Sequence, residues 1–231
     1  MNKLLFVPLV VCGTNQYVNA QSVQSPNIVL ILCDDMGFSD LGCYGSEIQT
    51  PNIDKLAQEG IRFSQFKNTG RSCPSRASML TGRYQHEVGM GWMAEADEHR
   101  PGYRGQIDKE YPTIAEVMKS GGYSTYMSGK WHVTTTGGYE SLPMEVIRYK
   151  EVSINITAAW RRKLYKPSPV YNNLEKVTDL PDDYYYTQAI TDSAVSYVQA
   201  HDTRKPMFFI RSPLRASSSI TSSCRICKKM H

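Results

Sequence analysis

The strongest chemical signal in this chain is the stretch Thr69-Gly-Arg-Ser-Cys-Pro-Ser-Arg-Ala-Ser-Met-Leu-Thr-Gly-Arg83. Pro74 suits a first helical turn and Gly82 suits a helix end, so the stretch predicts a short helix that starts at Ser72. The start of a helix presents unpaired N–H groups and the positive end of the helix dipole, which favours an anion such as sulfate or phosphate. Arg76 follows one turn later on the same face. A hydroxyl at this position with a guanidinium beside it indicates nucleophilic chemistry on an oxyanion ester.

Two adjacent carboxylates, Asp34 and Asp35, follow the continuous apolar run Ile28-Val-Leu-Ile-Leu-Cys33. The run predicts a strand buried on both faces in a parallel sheet. The carboxyl end of such a strand is where open α/β sheets place ligands, and neighbouring carboxylates repel each other unless a cation holds them. The pattern favours a metal site at Asp34 and Asp35, with a solvated acidic turn as the alternative.

A lysine and a histidine two residues apart, Lys130 and His132, come just after a strand predicted over residues 123–128. They can converge on one ligand, because an ammonium group binds an anionic oxygen while an imidazole exchanges a proton. Taken alone, the tetrapeptide Gly129-Lys-Trp-His132 is a weak signal.

The elements that must position these residues alternate between strands and helices. Such alternation predicts an α/β fold with a mostly parallel sheet flanked by helices. The individual predictions are a helix from Thr50-Pro51 to Ala57 with Ile53 and Leu56 facing inward, a strand over 61–66, a helix over 113–120, a helix whose face carries Ile190, Ala194, Val195 and Val198, and a strand over 205–210.

Several of these motifs together resemble the sulfatase family, over most of the chain from Pro26 to Ile210. The spacing Ser-x-Pro-x-Arg followed by Leu-Thr-Gly-Arg resembles the family's first signature, and Gly-Lys-Trp-His resembles its second. Sulfatases also begin with a strand that leads into Asp-Asp-Met-Gly, and they share the segment Thr50-Pro-Asn-Ile-Asp-Lys-Leu-Ala57. The register against Pro74 and Arg76 selects Ser72, not Cys73, as the residue that this family oxidises to formylglycine.

The resemblance implies an alkaline-phosphatase-like superfold and hydrolysis of aryl or carbohydrate sulfate esters. Formylglycine derived from Ser72 would attack sulfur. Calcium on Asp34, Asp35 and the Ser72 derivative would act as a Lewis acid. Arg76 and Lys130 would neutralise charge, and His132 would take the proton that accompanies release of sulfate. A sulfatase-maturating enzyme is an implied partner.

The chain departs from the family pattern after Gly137. The segment Met144–Thr157 does not match, and no Ala-Pro-His segment or Asp-Asn pair follows Ile210. The later lysine of the family pattern has no counterpart either, because the lysines after Ile210, Lys228 and Lys229, lie in the serine-rich tail. We therefore expect residues 21–210 to form the N-terminal part of a sulfatase catalytic domain with impaired turnover. Residues 211–231 read as an irregular serine-rich tail, for which a shift of reading frame is the simplest cause.

Three other functions remain open from the sequence. One is a phosphate or phosphonate ester hydrolase of the same superfold, with an unmodified Ser or Thr and usually zinc. Another is a non-catalytic remnant that binds sulfated glycan through Arg76, Arg83 and Lys130. The third is a secreted structural protein, which the two signatures disfavour. The loop Gly89-Met-Gly-Trp-Met93 could line a sugar or aryl subsite, and His86 reads as a satisfied surface histidine.

The amino terminus predicts export. A basic start, a short apolar run and Val18-Asn-Ala20 are typical of a secretory signal peptide over residues 1–20, so we expect a periplasmic or secreted protein without a transmembrane segment. The 231 residues carry a net charge of +4 and no block of lysines and arginines, which disfavours nucleic acid as a partner. The scattered cysteines, with a lone Cys224-x-x-Cys227, predict no disulfide framework.

Overall fold

A six-stranded sheet forms the centre of the computed structural model, which describes residues 25–94, 97–134, 151–155, 170–172 and 175–212, the stretch 151–155 by its backbone alone. The strand order is β1-β6-β2-β3-β4-β5. The first four strands in this order run parallel, while β4 and β5 are attached antiparallel. The strands are β1 (Ile28–Ile31), β2 (Ser124–Lys130), β3 (Glu151–Asn155), β4 (Val170–Asn172), β5 (Glu175–Val177) and β6 (Met207–Ser212).

In the part of the chain that the structure describes, four α-helices accompany the sheet, and the sequence predicts each of them. They are α1 (Pro51–Glu59), α2 (Ser72–Thr81), α3 (Ile114–Ser120) and α4 (Tyr186–Ala200). Short 3₁₀ turns, Phe38–Asp40 and Gly42–Tyr44, follow β1. The start of α3 shows why the local signals succeed: the Glu116 carboxylate accepts hydrogen bonds from both the backbone N–H and the hydroxyl of Thr113, at 2.8 and 3.0 Å.

The two faces of the sheet carry separate cores, because side chains alternate along a strand. On β6, Phe208 and Ile210 pack with the cluster that contains Cys73 and Ala77 of α2, whereas Phe209 packs with Ala194 of α4 on the other face. Helices therefore cover both faces, and the predicted α/β architecture is confirmed.

Three predictions in the N-terminal region are wrong. β1 is not buried on both faces: Ile28 is exposed and the rest of the strand is half-buried, because β6 is its sole partner among the described strands. Residues 61–66 form no strand, and their alternating apolar side chains, Ile61 at 84% and Phe63 at 63%, are exposed. On α1, Ile53 packs against Leu41 as predicted, but Leu56 faces solvent. The alternation of residues 61–66 does not produce a strand where no neighbouring strand offers hydrogen bonds.

Two strands extend further than predicted, and both extensions matter for the site. β2 continues through Lys130, and β6 continues through Ser212, so Arg211 and Ser212 are buried in the sheet rather than starting the irregular tail. Gly129 pairs with Ser212 across these strands at a φ of 123°. A Cβ at Gly129 would lie 2.0 Å from the Ser212 carbonyl oxygen, so only glycine permits this approach.

Other predictions fall partly or wholly outside the described residues. The signal peptide, the Cys224-x-x-Cys227 pair and the tail from residue 213 lie outside them. Cys33, Cys43 and Cys73, which the structure does describe, form no disulfide bond. Within the described ranges, no helix combines the length and the apolar character needed to cross a membrane.

Candidate active site

The start of α2 holds Ser72 at the surface of the sheet. Arg71 is the N-cap residue, and its carbonyl oxygen accepts the N–H of Ser75 at 3.1 Å. At the other end, Gly82 adopts a φ of 66° and donates its N–H to the Ser78 carbonyl oxygen at 2.8 Å. These end points match the predicted helix, and they leave the Ser72 side chain half-buried while Cys73 is fully buried in the core.

Three charged side chains contact the Ser72 hydroxyl. Arg76 donates from Nε at 3.0 Å and Lys130 donates from Nζ at 3.1 Å, while Ser72 Oγ lies 3.1 Å from Asp34 Oδ1, to which it donates. Asp34 follows β1 and Lys130 ends β2, and both of these strands run parallel to β6. The carboxyl ends of parallel strands meet at one edge of the sheet, which is why residues so distant in sequence converge here.

Asp34 also pairs directly with both cations. Its Oδ2 accepts Lys130 Nζ at 2.7 Å, and its Oδ1 lies 3.3 Å from Arg76 Nη2. The side chains are nearly inaccessible to solvent, at 3% for Arg76, 1% for Lys130 and 12% for Asp34. The repulsion expected between two adjacent carboxylates is thus relieved at Asp34 by protein cations, while Asp35 is exposed.

These contacts shift three pKa values. Burial would raise the pKa of Asp34, but the charges of Arg76 and Lys130 outweigh it and hold that pKa below its ordinary value. Burial lowers the pKa of Arg76, against the opposing charge of Asp34. Burial followed by the charge of Arg76 lowers the pKa of Lys130, again against Asp34.

His132 is buried beside these cations. Burial first, and then the charges of Lys130 and Arg76, lower its pKa to about 3. The imidazole is therefore neutral near pH 7 and able to accept a proton. His132 and Asp35 both have left-handed backbones, with φ of 59° and 53°. Such conformations are uncommon for residues other than glycine and cluster at functional sites.

Ser212 is a site residue that the sequence reasoning missed. Arg76 Nη1 donates to the Ser212 hydroxyl and also to the Lys130 carbonyl oxygen at 3.0 Å, so the ends of β2 and β6 together fix the guanidinium. The interpretation of residues 211–231 as a tail concealed this role. The signal that could have found it is Gly129, which directly follows the predicted strand, because a glycine within the observed strand indicates a close backbone approach.

The donor atoms at this edge of the sheet are oxygens, the type of ligand that a hard divalent cation prefers. The two aspartates and the Ser72 hydroxyl supply oxygen ligands, and the lowered pKa of Asp34 keeps its carboxylate charged. Calcium takes roughly six to eight oxygens. The described residues contain no group of three or more His, Cys, Asp or Glu side chains that could hold a metal ion. Asp34 and Asp35 fit part of a coordination shell.

Two other residues singled out in the sequence lie away from Ser72 or have structural roles. Arg83 follows the opposite end of α2, where its Nη1 pairs with Glu87 Oε1 at 3.1 Å. His86 is half-buried, stacks on Tyr84, and lies with Nε2 3.2 Å from the Tyr103 hydroxyl. These contacts give His86 a structural role, but it is not the satisfied surface histidine that was predicted, because it is half-buried and its Nδ1 has no hydrogen-bond partner among the described residues.

The family model and the curated relatives that match this chain all indicate the same family. The model of the sulfatase family matches residues 26–216. The arylsulfatase of Klebsiella aerogenes is 30% identical over 201 residues, which cover 82% of this chain and 42% of that protein. Arylsulfatase A of Homo sapiens is 47% identical over 112 residues, which cover 47% of this chain and 21% of that protein. The chain spans less than half the length of these curated relatives.

Solved structures agree with the fold. Ps i-CgsB in complex with k-i-k-neocarrahexaose has a TM-score of 0.67 and 26% identity, covering 84% of this chain and 46% of that one. A protein in complex with its substrate D-glucosamine-2-N,6-O-disulfate has a TM-score of 0.63 and 29% identity, covering 81% and 34%. The predicted superfold is confirmed by these likenesses and by the parallel sheet.

Proposed function

The chain belongs to the sulfatase family, and we propose that it hydrolyses aryl or carbohydrate sulfate esters at Ser72. One observation carries the proposal: the Ser72 hydroxyl lies within 3.1 Å of Asp34, Arg76 and Lys130 at the carboxyl edge of a parallel sheet. A nucleophile position surrounded by fixed charges suits attack on an anionic ester.

Arg76 and Lys130 are the proposed sulfate-binding residues. Their buried charges cannot move far, because Arg76 is tied to β2 and β6 and Lys130 ends β2. Preorganised donors of this kind stabilise charge that develops in a transition state, and loss of one typically costs about 10²- to 10³-fold in rate. Asp34 holds both cations against Ser72, which makes it a positioning group as well as an oxygen donor.

His132 is the proposed proton acceptor. Its imidazole is neutral near pH 7 because its pKa is about 3, so it does not compete as a cation for sulfate. The neutral ring has a lone pair that can take a proton, and its low pKa makes it a weaker base than an ordinary histidine. Its left-handed backbone directly after β2 supports a selected position over an incidental one.

We further propose that a maturating enzyme converts Ser72 to formylglycine. When present, this aldehyde would add one water to give a pair of hydroxyls, one of which could attack sulfur while the other could drive release of sulfate. The burial pattern supports Ser72 over its neighbour, since Cys73 is fully enclosed by the core while Ser72 is half-buried.

Asp34 and Asp35 are the proposed protein ligands for the divalent metal, which we take to be calcium because the donors are carboxylate oxygens. When bound, the ion supplies a Lewis acid beside Ser72. Export to the periplasm or the exterior, guided by residues 1–20, belongs to the same proposal.

The test compares hydrolysis of 4-nitrophenyl sulfate and 4-nitrophenyl phosphate by the full chain, co-expressed with a maturating enzyme active on serine. We expect preference for the sulfate, loss of activity in Ser72→Ala and a loss of about 100-fold in Arg76→Lys. Arg83→Lys, at the far end of α2, is the matched control and should retain activity. Preference for phosphate with unmodified Ser72 would instead support the phosphate ester hydrolase, and binding of sulfate esters without turnover would support the non-catalytic remnant.

A further inference from the structure

An exposed cation is stacked on an aromatic ring beside the proposed active site. The guanidinium carbon of Arg71 lies 3.9 Å from the centroid of the Trp92 ring. Both side chains reach solvent: Arg71 is exposed, and 46% of Trp92 is accessible. Neither residue has a role in the chemistry proposed above.

The backbone on both sides of this pair is fixed. The Arg71 carbonyl oxygen accepts the first helical N–H of α2, from Ser75. The loop that carries Trp92 is tied down by the Gly91 N–H, which donates to the Gly102 carbonyl oxygen at 2.7 Å, and by a bridge between Met90 and Tyr103. The stacked guanidinium is therefore held by ordered backbone, which reduces the entropy lost when it binds a ligand.

Arg71 differs from the inner cations in what it is available to bind. Arg76 and Lys130 are buried, and both contact Asp34 and donate hydrogen bonds to Ser72. Arg71 makes no ion pair with any carboxylate among the described residues, and it immediately precedes Ser72. Arg71 is exposed while Ser72 is half-buried. A substrate whose sulfate reaches the inner cations has to extend its leaving group towards solvent, and an exposed cation next to Ser72 in the chain is a candidate to meet it.

We propose that Arg71, stacked on Trp92, forms a second anion-binding subsite for a carboxylate or an additional sulfate on the leaving group. This inference rests on the proposed function. A guanidinium presents a planar set of donors that match the paired oxygens of both anions, and stacking on an aromatic face leaves the N–H groups at its edge free to donate. The predicted substrate is a sulfate ester whose leaving group carries a second negative charge.

The test measures dissociation constants at low ionic strength for three probes: 3-carbamoylphenyl sulfate, 3-sulfooxybenzoate and benzene-1,3-diyl disulfate. Each anionic probe is expressed as a ratio of affinity over the neutral carbamoyl probe. An exposed charge-assisted pair contributes up to about 1 kcal/mol, so Arg71→Gln should lower the ratio by about fivefold. The affinity ratio of Arg71→Lys should lie between those of wild type and Arg71→Gln, because lysine keeps the charge but lacks the planar set of donors. Trp92→Ala should also lower the ratio. Arg83→Gln removes the same charge from an exposed arginine at the other end of α2 and should leave the ratio unchanged.

The outcomes separate this inference from the proposed function. A drop in the ratio for 3-sulfooxybenzoate alone assigns the subsite to carboxylate, and a drop for the disulfate alone assigns it to sulfate. Equal changes in Arg71→Gln and Arg83→Gln, or a wild-type ratio near one, overturn the subsite even if phenyl sulfates are hydrolysed. A ratio that depends on Arg71 without any turnover retains the subsite and rejects the hydrolase. Absence of binding to all three probes rejects both.

Discussion

Replacing Asp34 by Asn should destabilise the fold more than any change at an exposed charge. Asp34 is the carboxylate that both buried cations contact, Lys130 at 2.7 Å and Arg76 at 3.3 Å. Asparagine has nearly the same shape and can still accept hydrogen bonds, so the substitution removes the charge with little change in packing. The variant isolates the electrostatic contribution of one group.

The size of the effect follows from the burial of the cations. Removal of one partner from a buried ion pair typically costs about 3 to 5 kcal/mol, because the remaining charge stays desolvated. Asp34 retains 12% exposure and Lys130 can release its proton, which places the expected loss near the lower end, about 3 kcal/mol. Domains are stable by only about 5 to 15 kcal/mol, so this loss is large.

The assay is urea unfolding followed by tryptophan fluorescence, to which the buried Trp131 contributes, repeated from pH 7 into acid. The pKa of Asp34 is lower in the folded chain than its ordinary value of 3.8. Its stabilising contribution is therefore present above pH 3.8 and is lost as pH falls through the folded pKa. The difference between wild type and Asp34→Asn should be full at pH 7 and shrink in acid.

Asp202→Asn is the matched control, since Asp202 pairs with Arg204 at the surface and should not change the unfolding midpoint measurably. Equal stability of wild type and Asp34→Asn at pH 7 would refute the reasoning. So would a difference that persists undiminished at a pH where Asp34 is protonated.

Three further outcomes are expected. The pKa of His132 is about 3 in the folded chain and near 6.5 in the unfolded chain. The free energy of unfolding should therefore fall as pH drops across that interval, by at most about 1.4 kcal/mol per pH unit. In acid unfolding curves His132→Gln should flatten this slope, whereas the control His99→Gln, at an exposed site, should not. After co-expression with a maturating enzyme active on serine, peptide mass mapping should show a loss of two hydrogens at Ser72, and modification of Cys73 instead would contradict the assignment. Calcium titrated calorimetrically should bind weakly, because protein cations already occupy both oxygens of Asp34; stoichiometric submicromolar binding would show otherwise.

The sequence predicted the parts of the site whose positions depend on signals a few residues away in the chain. Pro74 and Gly82 mark the two ends of α2, and their effects act within a few residues, so Ser72 could be placed at a helix start without knowledge of the tertiary fold. Asp34 and Lys130 could be placed at strand ends for the same reason. Their convergence then follows from the parallel sheet alone.

The parts that sequence did not predict depend on the identity of neighbouring strands. Residues 61–66 alternate correctly for a strand, yet they form none. β3, Glu151–Asn155, lies where the family resemblance is lost, although the alternation of Val152 and Ile154 agrees with a strand. Ser212 anchors Arg76 only because β6 pairs with β2 in this register. Pairing and register are long-range properties that a local pattern does not specify.

When no metal ion is bound, the charges of the Ser72 side-chain cluster should favour a sulfate ester over a phosphate ester. Arg76 and Lys130 supply two positive charges, Asp34 cancels one of them, and His132 stays neutral near pH 7 because of its low pKa. One net positive charge remains around Ser72. A sulfate monoester carries a single negative charge, whereas a phosphate monoester, with a second pKa of about 6, carries close to two at pH 7. Without the proposed ion, the second charge of a phosphate would stay uncompensated in a largely buried site, so we expect the metal-free protein to bind sulfate esters in preference to phosphate esters. A divalent ion on Asp34 and Asp35 would add positive charge and weaken this preference.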